Sequence, residues 1–319
     1  MEADSSHEKS SPGTKVKITP LDGDVFDLGP KADSMTTIIW KRFRRHPAAI
    51  ISTTVLIVLV LAVILVSFSP YDPEASDLTS RLQPPSLQHP MGTDQLGRDM
   101  LTRVLYGGRI SLLVAIMVVI VTLLVGIPVG ALAGFFGGPI DNLLMRVTDV
   151  ALTLPALLVL ILLSAIMRDI ELPLFERNST VTIAVVIGIL SWMTVARLLR
   201  ASYLTIREME FVEAAFAMGA SDLRIIVKHI LPNAVSPIIV QSTLMLGFAI
   251  MLESGLSFLG FGVQPPTPSW GNLLSNAQQH MTSYPWLAIF PGLMIFMAVI
   301  AINYIGDALR DAFDPFKVF

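Results

Sequence analysis

Residues 213–232, EAAFAMGASDLRIIVKHILP, lie in the longest charged segment between two very apolar parts of the chain, and their reading decides the rest. Phe211, Ala214, Ala215 and Met218 recur at helical spacing, which predicts a short helix with one apolar face against a partner surface and Glu208 and Glu210 pointing away. Gly219 tolerates the left-handed conformation that ends such a helix. Ser221 is then placed to cap a second helix, Asp222 stands favourably in its first turn, and Leu223, Ile226, Val227 and Ile230 form its apolar stripe until Pro232 stops it. The expected unit is two amphipathic helices joined at Gly219, with one adhesive side.

Outward from this stretch the chain is unusually apolar. Hydrophobic residues are 53% of 319 positions and charged residues 15%, against about 25% charged in an ordinary soluble domain. Mean hydropathy is +0.67. These values predict an all-α polytopic membrane protein. A net charge of −3 gives no basis for nucleic-acid binding. The absence of cysteine excludes a disulfide framework, a thiolate metal site and a cysteine nucleophile.

Residues 1 to about 40 are polar and read as a mostly disordered cytosolic tail, the first unit being 1–47. Lys41, Arg42, Arg44 and Arg45 precede an uncharged run over 48–68, the first transmembrane helix, and place the amino terminus inside. Residues 69–109 form an extracytoplasmic connection, marked by Pro70, Pro73, Pro84, Pro85 and Pro90 and closed by an interfacial amphipathic helix with Arg98 and Arg103 pointing up. A five-helix core follows over 110–311. Its spans are expected near 110–135, where Gly126, Gly130 and Gly134 line one face, then 144–167, interrupted by Pro155, 181–196, 234–252 and 286–304. Arg146 and Asp149 read as an intrahelical pair, and Asn178 heads a chance sequon in a short outer loop. Arg197, Arg200 and Arg207 hold 198–233 inside, and 312–319 is a second inner tail. Six spans put both termini in the cytosol.

No phosphate loop of the form Gly-x-x-x-x-Gly-Lys-Ser/Thr occurs, so no ATP site is expected on this chain. His7, His46, His89, His229 and His280 are scattered without metal-ligand spacing, and no nucleophile turn is present. No catalytic, cofactor or metal residue is assigned.

Glu-Ala-Ala, three residues, Gly219, a spacer, then Leu231-Pro232 resembles the EAA loop of bacterial ABC importer permeases. His229 stands where that pattern has an aliphatic residue, with Ile230 one place later. Residues 92–112, GTDQLGRDMLTRVLYGGRISL, resemble the C-type permease subunit of peptide importers. So do residues 253–271, ESGLSFLGFGVQPPTPSWG, and 306–315, GDALRDAFDP. The resemblance covers roughly 92–315. It implies half of a translocation pore for dipeptides or oligopeptides, in a bacterial or archaeal cell membrane. It also implies a second homologous permease, two ATP-binding cassette ATPases carrying ATP and Mg2+, an extracytoplasmic binding protein, and a lipid environment. By resemblance Glu213, Ala214, Ala215, Gly219, Leu231 and Pro232 couple to the ATPase. Glu253 and Trp270 are placed at the outer loop or pore mouth, with bonds from Glu253 to loop amides as the other reading. Related permeases also serve nickel and oligosaccharides. An ion-coupled secondary transporter is the rival architecture, but it calls for ionisable groups deep in the membrane and often a repeat, and neither is evident.

Overall fold

The computed structural model describes residues 35–169 and 179–314, whose regular structure is entirely helical. In order these are α1 (Met35–Arg45), α2 (Pro47–Leu65), α3 (Met100–Phe136), α4 (Gly138–Thr153), α5 (Ala156–Asp169), α6 (Ser179–Ile189), α7 (Trp192–Arg207), α8 (Glu210–Ala217), α9 (Asp222–Arg224), α10 (Val235–Phe258), α11 (Trp270–Ala277) and α12 (Trp286–Phe313). A π-helical Ile225–Ile230 and a 3-10 Leu231–Ala234 join α9 to α10 without a break.

Among the described residues, four helical stretches are long and apolar enough to cross a membrane: Pro47–Phe68, Met100–Phe136, Asp222–Phe258 and Trp286–Phe313. Two bent pairs, α4 with α5 and α6 with α7, bring the total to the expected six when each pair is counted as one broken span. The first pair turns by 89°. Its cause is Pro155, which has no N–H to donate and confines Leu154 to an extended backbone (φ −74°, ψ 137°). The interruption expected at Pro155 within 144–167 is thus present, and it sets the two halves at nearly a right angle.

The scaffold's central contact is between α3 and α7. A Cβ at Gly126 would stand 2.9 Å from Val195 Cβ, at Gly130 2.5 Å from the Ala196 carbonyl oxygen, and at Gly134 2.5 Å from Tyr203 Cβ. Small residues in one row thus let two backbones approach where lipid offers no hydrophobic drive for association. Gly130→Val should weaken the fold by about 1–3 kcal/mol through overpacking against a backbone that cannot yield. Thermal unfolding in detergent should show a lowered midpoint. Gly255→Ala is the control, since its Cβ would meet nothing within 4 Å.

Several expectations change. The 92–109 segment holds no separate interfacial helix: α3 runs for 37 residues from Met100, roughly 55 Å at 1.5 Å per residue, and so projects beyond a hydrocarbon core of about 30 Å. Asp99 starts it, its carboxylate accepting from the Thr102 N–H at 2.8 Å. Arg98 and Arg103 do not point up into solvent. Both are buried, Arg98 Nε donating to Asp94 at 2.7 Å and Arg103 Nη1 to the Pro73 carbonyl at 2.6 Å. Their charges are spent on folding the 69–99 connection. At the far side of that connection Asp77 caps a short turn, Leu78–Ser80, where hydrogen bonds from Thr79 and Ser80 hold its carboxyl below the usual range.

The Arg146–Asp149 pair gives way to Arg197 of α7 donating to Asp149 at 2.5 Å. Past the span expected to end near 196, α7 continues as a helix to Arg207, with Arg197 and Arg200 paired to Asp149 and Asp141 of α4. Residues 35–45, read as tail and basic cluster, form a helix of their own. The 1–34 tail, the sequon at Asn178 and residues 315–319 lie outside the described residues.

Candidate functional site

At one end of the molecule α7, α8 and α9 fold into an elbow. Arg207 closes α7 by donating to the Phe135 carbonyl at 2.8 Å, tying it to the end of α3. Three residues later α8 begins, and its exit is fixed by Gly219 at φ +77°. There the Gly219 N–H donates to the Phe216 carbonyl at 2.9 Å and the Ala220 N–H to the Ala215 carbonyl at 3.1 Å. This paired bonding around a left-handed residue is the Schellman turn, which satisfies carbonyls the helix end would leave bare.

Beneath the turn, Val212, Ala215, Ile225, Ile226 and Ile230 pack into one cluster with Leu199, Tyr203 and Ile206 of α7. Tyr203 is fully enclosed and donates its hydroxyl to the Ile226 carbonyl at 3.1 Å. From α4, Asp141 accepts from Arg200 Nε and Nη2 at 2.5 and 2.6 Å, a bidentate pair. Arg200, Tyr203 and Arg207 stand at three- and four-residue spacing on one stripe of α7, so a single helix face holds α3, α4 and the elbow together.

The outer side of the elbow is apolar and bare. Met218 is 80% exposed, Leu223 71%, Val227 48%, Phe216 44% and Phe211 41%. Among them stand the exposed charges Glu208, Glu210, Glu213, Asp222, Arg224 and Lys228. In hydrocarbon each charge would carry a penalty of about 2.5–3.5 kcal/mol, so this face is not a lipid face. Contiguous apolar surface rimmed by charge is what a protein-docking surface presents.

The opposite end is closed by a knot around Glu253, the last charged residue of α10. Its carboxyl is fully buried and accepts from Ser257 at 2.7 Å, Ser111 at 2.8 Å and Ser254 at 3.4 Å. Two of these hydroxyls also accept from backbone: Ser257 from the Val263 N–H at 3.0 Å and Ser111 from the Trp270 N–H at 3.2 Å. Glu253 thus holds the 259–269 loop and the start of α11 through hydroxyl relays. Trp270, equally buried, donates its indole N–H to the Val104 carbonyl at 2.9 Å, and Ser269 caps α11 in a reciprocal capping box with Asn272. Gly108 makes room for the Trp270 ring, which a Cβ would meet at 2.8 Å.

Known proteins resemble the chain over most of its length. Residues 126–318 match the family described as binding-protein-dependent transport system inner membrane component. Residues 34–85 match the N-terminal TM domain of oligopeptide transport permease C. The chain belongs to the first of these families. Among its relatives is a putative peptide permease protein of Brucella suis, 41% identical over 290 residues that span 90% of this chain and 91% of the relative. Another is the glutathione transport system permease protein GsiD of Pectobacterium atrosepticum, 40% identical over 278 residues, 86% of this chain and 89% of the relative. In fold, the permease resembles a chain of the MetNI methionine ABC transporter at a TM-score of 0.54 and 16% identity, over 67% of this chain and 97% of that one.

In this permease, four of the six residues assigned to coupling are exposed. Glu213 and Ala214 are exposed, Glu213 on the rim of a cavity of about 400 Å³ shared with Arg207 and Phe216. Gly219 holds the predicted left-handed turn, and Pro232 is exposed. Leu231 is half-buried. Ala215 faces the other way: it is 1% exposed and packs into the permease itself. Ser221 stands at the N-cap position, but its hydroxyl caps nothing. Pro232 does not stop the second helix, because the register change from π to 3-10 absorbs the missing donor. The Asn233 amide donates to the His229 carbonyl there at 2.7 Å. Glu253 and Trp270 are both enclosed, and Glu253 is bonded into the loop that follows it through serine hydroxyls. Sequence reasoning missed Tyr203, Ser111 and the cross-helix role of Arg200. The stripe of Arg200, Tyr203 and Arg207 was a readable signal for the first and third; Ser111 had none.

Proposed function

We propose that the chain is the permease subunit that forms one half of the pore of an ATP-driven peptide importer. On this reading its elbow transmits the motion of an ATPase. The observation that carries it is the bare apolar elbow, bolted through Tyr203 and Arg207 to α7 and α3, two helices packed backbone to backbone. A push on such an elbow moves membrane helices as a body, which is the physical content of coupling between two sites. Peptides are the favoured cargo because relatives aligned over most of their length are named peptide and glutathione permeases. A second permease would cover the outward apolar side of α4 and α5, where Leu143, Val147, Val150, Leu158 and Leu162 are exposed. A binding protein would meet the end that carries the 69–99 connection and the Glu253 knot. ATP and Mg2+ belong to the ATPases, both termini to the cytosol, and the setting is a bacterial or archaeal cell membrane.

One experiment tests orientation and docking together. The chain has no cysteine, so single cysteines at Ser76, Ser275 and Ser221 report alone. In intact cells an impermeant maleimide should label 76 and 275 and leave 221 untouched. In inverted vesicles 221 should react, and more slowly once the ATPase subunits are bound. Labelling of 221 from outside, or a rate indifferent to the ATPases, would end the proposal.

A further inference from the structure

The elbow is not the only surface left open at its end of the molecule. Helix α1 is strongly amphipathic and lies before the first membrane span, separated from it only by His46 in an extended conformation and Pro47 at the start of α2. One side of α1 is fastened to the protein: Arg42 Nη1 donates to the Asp314 carbonyl at the end of α12, 2.6 Å away. The other side carries Trp40, 59% exposed, with the Arg44 guanidinium 5.9 Å from its ring and Phe43 stacked at 6.2 Å. Arg44 and Arg45 are exposed, and neither has an acidic partner among the described residues.

We propose that α1 is an interfacial helix whose Trp40, Arg44 and Arg45 bind the anionic headgroups of the bilayer surface, clamping the start of α2 and the end of α12 to it. Three observations converge. Tryptophan beside arginine, with one ring face apolar and a polar edge, is the composition that settles at headgroup depth. The occupant is argued from continuity: α2 carries exposed Ile50, Ile51, Ile57 and Val58 into hydrocarbon directly after α1, so α1, tied by Arg42 to the end of α12, stands at headgroup depth. Charge complementarity then selects the lipid, because each basic residue at an anionic surface strengthens attachment roughly fivefold. Arg42 takes no part, since its guanidinium is spent on Asp314. This inference stands whatever the cargo is.

The test uses the full chain purified in a neutral detergent and followed by thermal unfolding. Mixed micelles with phosphatidylglycerol should raise the midpoint, while phosphatidylcholine and free inorganic phosphate should not. In Arg44→Gln/Arg45→Gln the phosphatidylglycerol needed for half the effect should rise roughly 25-fold, the product of two such contributions. The difference between variant and parent should shrink in high salt. Trp40→Ala should weaken the response to phosphatidylglycerol without making the chain respond to phosphatidylcholine. Equal titrations for the double variant and the parent would overturn the proposal. So would stabilisation by inorganic phosphate matching that by the lipid, which would mean a phosphate site rather than a membrane contact.

Discussion

Gly219→Val should abolish most uptake while the protein still reaches the membrane in normal amount. The residue sits at φ +77°, and a Cβ there would meet nothing within 4 Å, so the penalty is backbone strain alone. For a residue with a side chain that strain is about 1–2 kcal/mol, and a β-branched one stands at the upper end. Such a penalty corresponds to roughly a 5–30-fold loss in the population holding the native turn. The two Schellman hydrogen bonds, Gly219 to Phe216 and Ala220 to Ala215, would be the first to open. Met218 and Leu223 flank that turn, so their relative placement changes when it opens. Because the elbow lies apart from the α3–α7 contact, thermal unfolding of the bundle should shift little. Gly219→Asn should retain most transport, since asparagine visits the left-handed region far more readily than valine. Uptake, and ATP hydrolysis by the assembled transporter under binding-protein stimulation, should rank parent, Asn, Ala, Val. Full activity in the valine variant would remove the elbow from the coupling path.

Glu253→Ala should be the most damaging change at the other end, and by a different route. The carboxyl accepts three hydroxyls in a closed space, and two of those hydroxyls in turn hold the backbone of the 259–269 loop and α11. Interhelical hydrogen bonds in membrane proteins average about 0.6 kcal/mol and reach about 1.7. Truncation adds a cavity, which in tightly packed interiors brings the loss to about 2–5 kcal/mol. The expected readout is a low yield of folded protein and a lowered unfolding midpoint. Trp270 should become accessible to a collisional quencher as α11 loosens. Glu253→Gln keeps an acceptor and the volume, and the serine hydroxyls can rotate to suit it, so it should recover most of the stability. If Gln were as damaging as Ala, the role of Glu253 would be its charge and not its place in the hydrogen-bond knot.

Much of this was legible in order along the chain. Residues 48–68 announce a membrane helix by length and polarity, because an uninterrupted apolar run of that length satisfies its backbone in lipid within the segment only as a helix. Gly219 announces a left-handed turn because its neighbours are helix formers and a glycine alone is free of the Cβ clash. The Gly126, Gly130, Gly134 row announces close packing by its spacing, though not which helix it meets. These are local properties: each follows from bonding that a backbone must satisfy within a few residues or from the solvent it must enter.

What the sequence left open is which long-range partner takes each polar group. Asp149 has Arg146 three residues away and Arg197 in another helix, and only the crossing of α4 with α7 decides for Arg197. Arg98 and Arg103 read as surface charges until Asp94 and the Pro73 carbonyl come to meet them. Glu253 and Trp270 stand in a segment rich in glycine and proline that reads as exposed loop. Yet Ser111, 142 positions before Glu253, closes over both. The same holds for the elbow: periodicity marks Ala214, Ala215, Ile226 and Val227 alike as apolar. It does not say which of them face the cluster around Tyr203 and which face outward. Sequence therefore determined where the apolar stretches lie, the family and the turn at Gly219. The tertiary structure alone decided which charges are buried and paired and which apolar side chains stay bare, because a buried charge is tolerable only beside a partner that the packing of distant helices supplies.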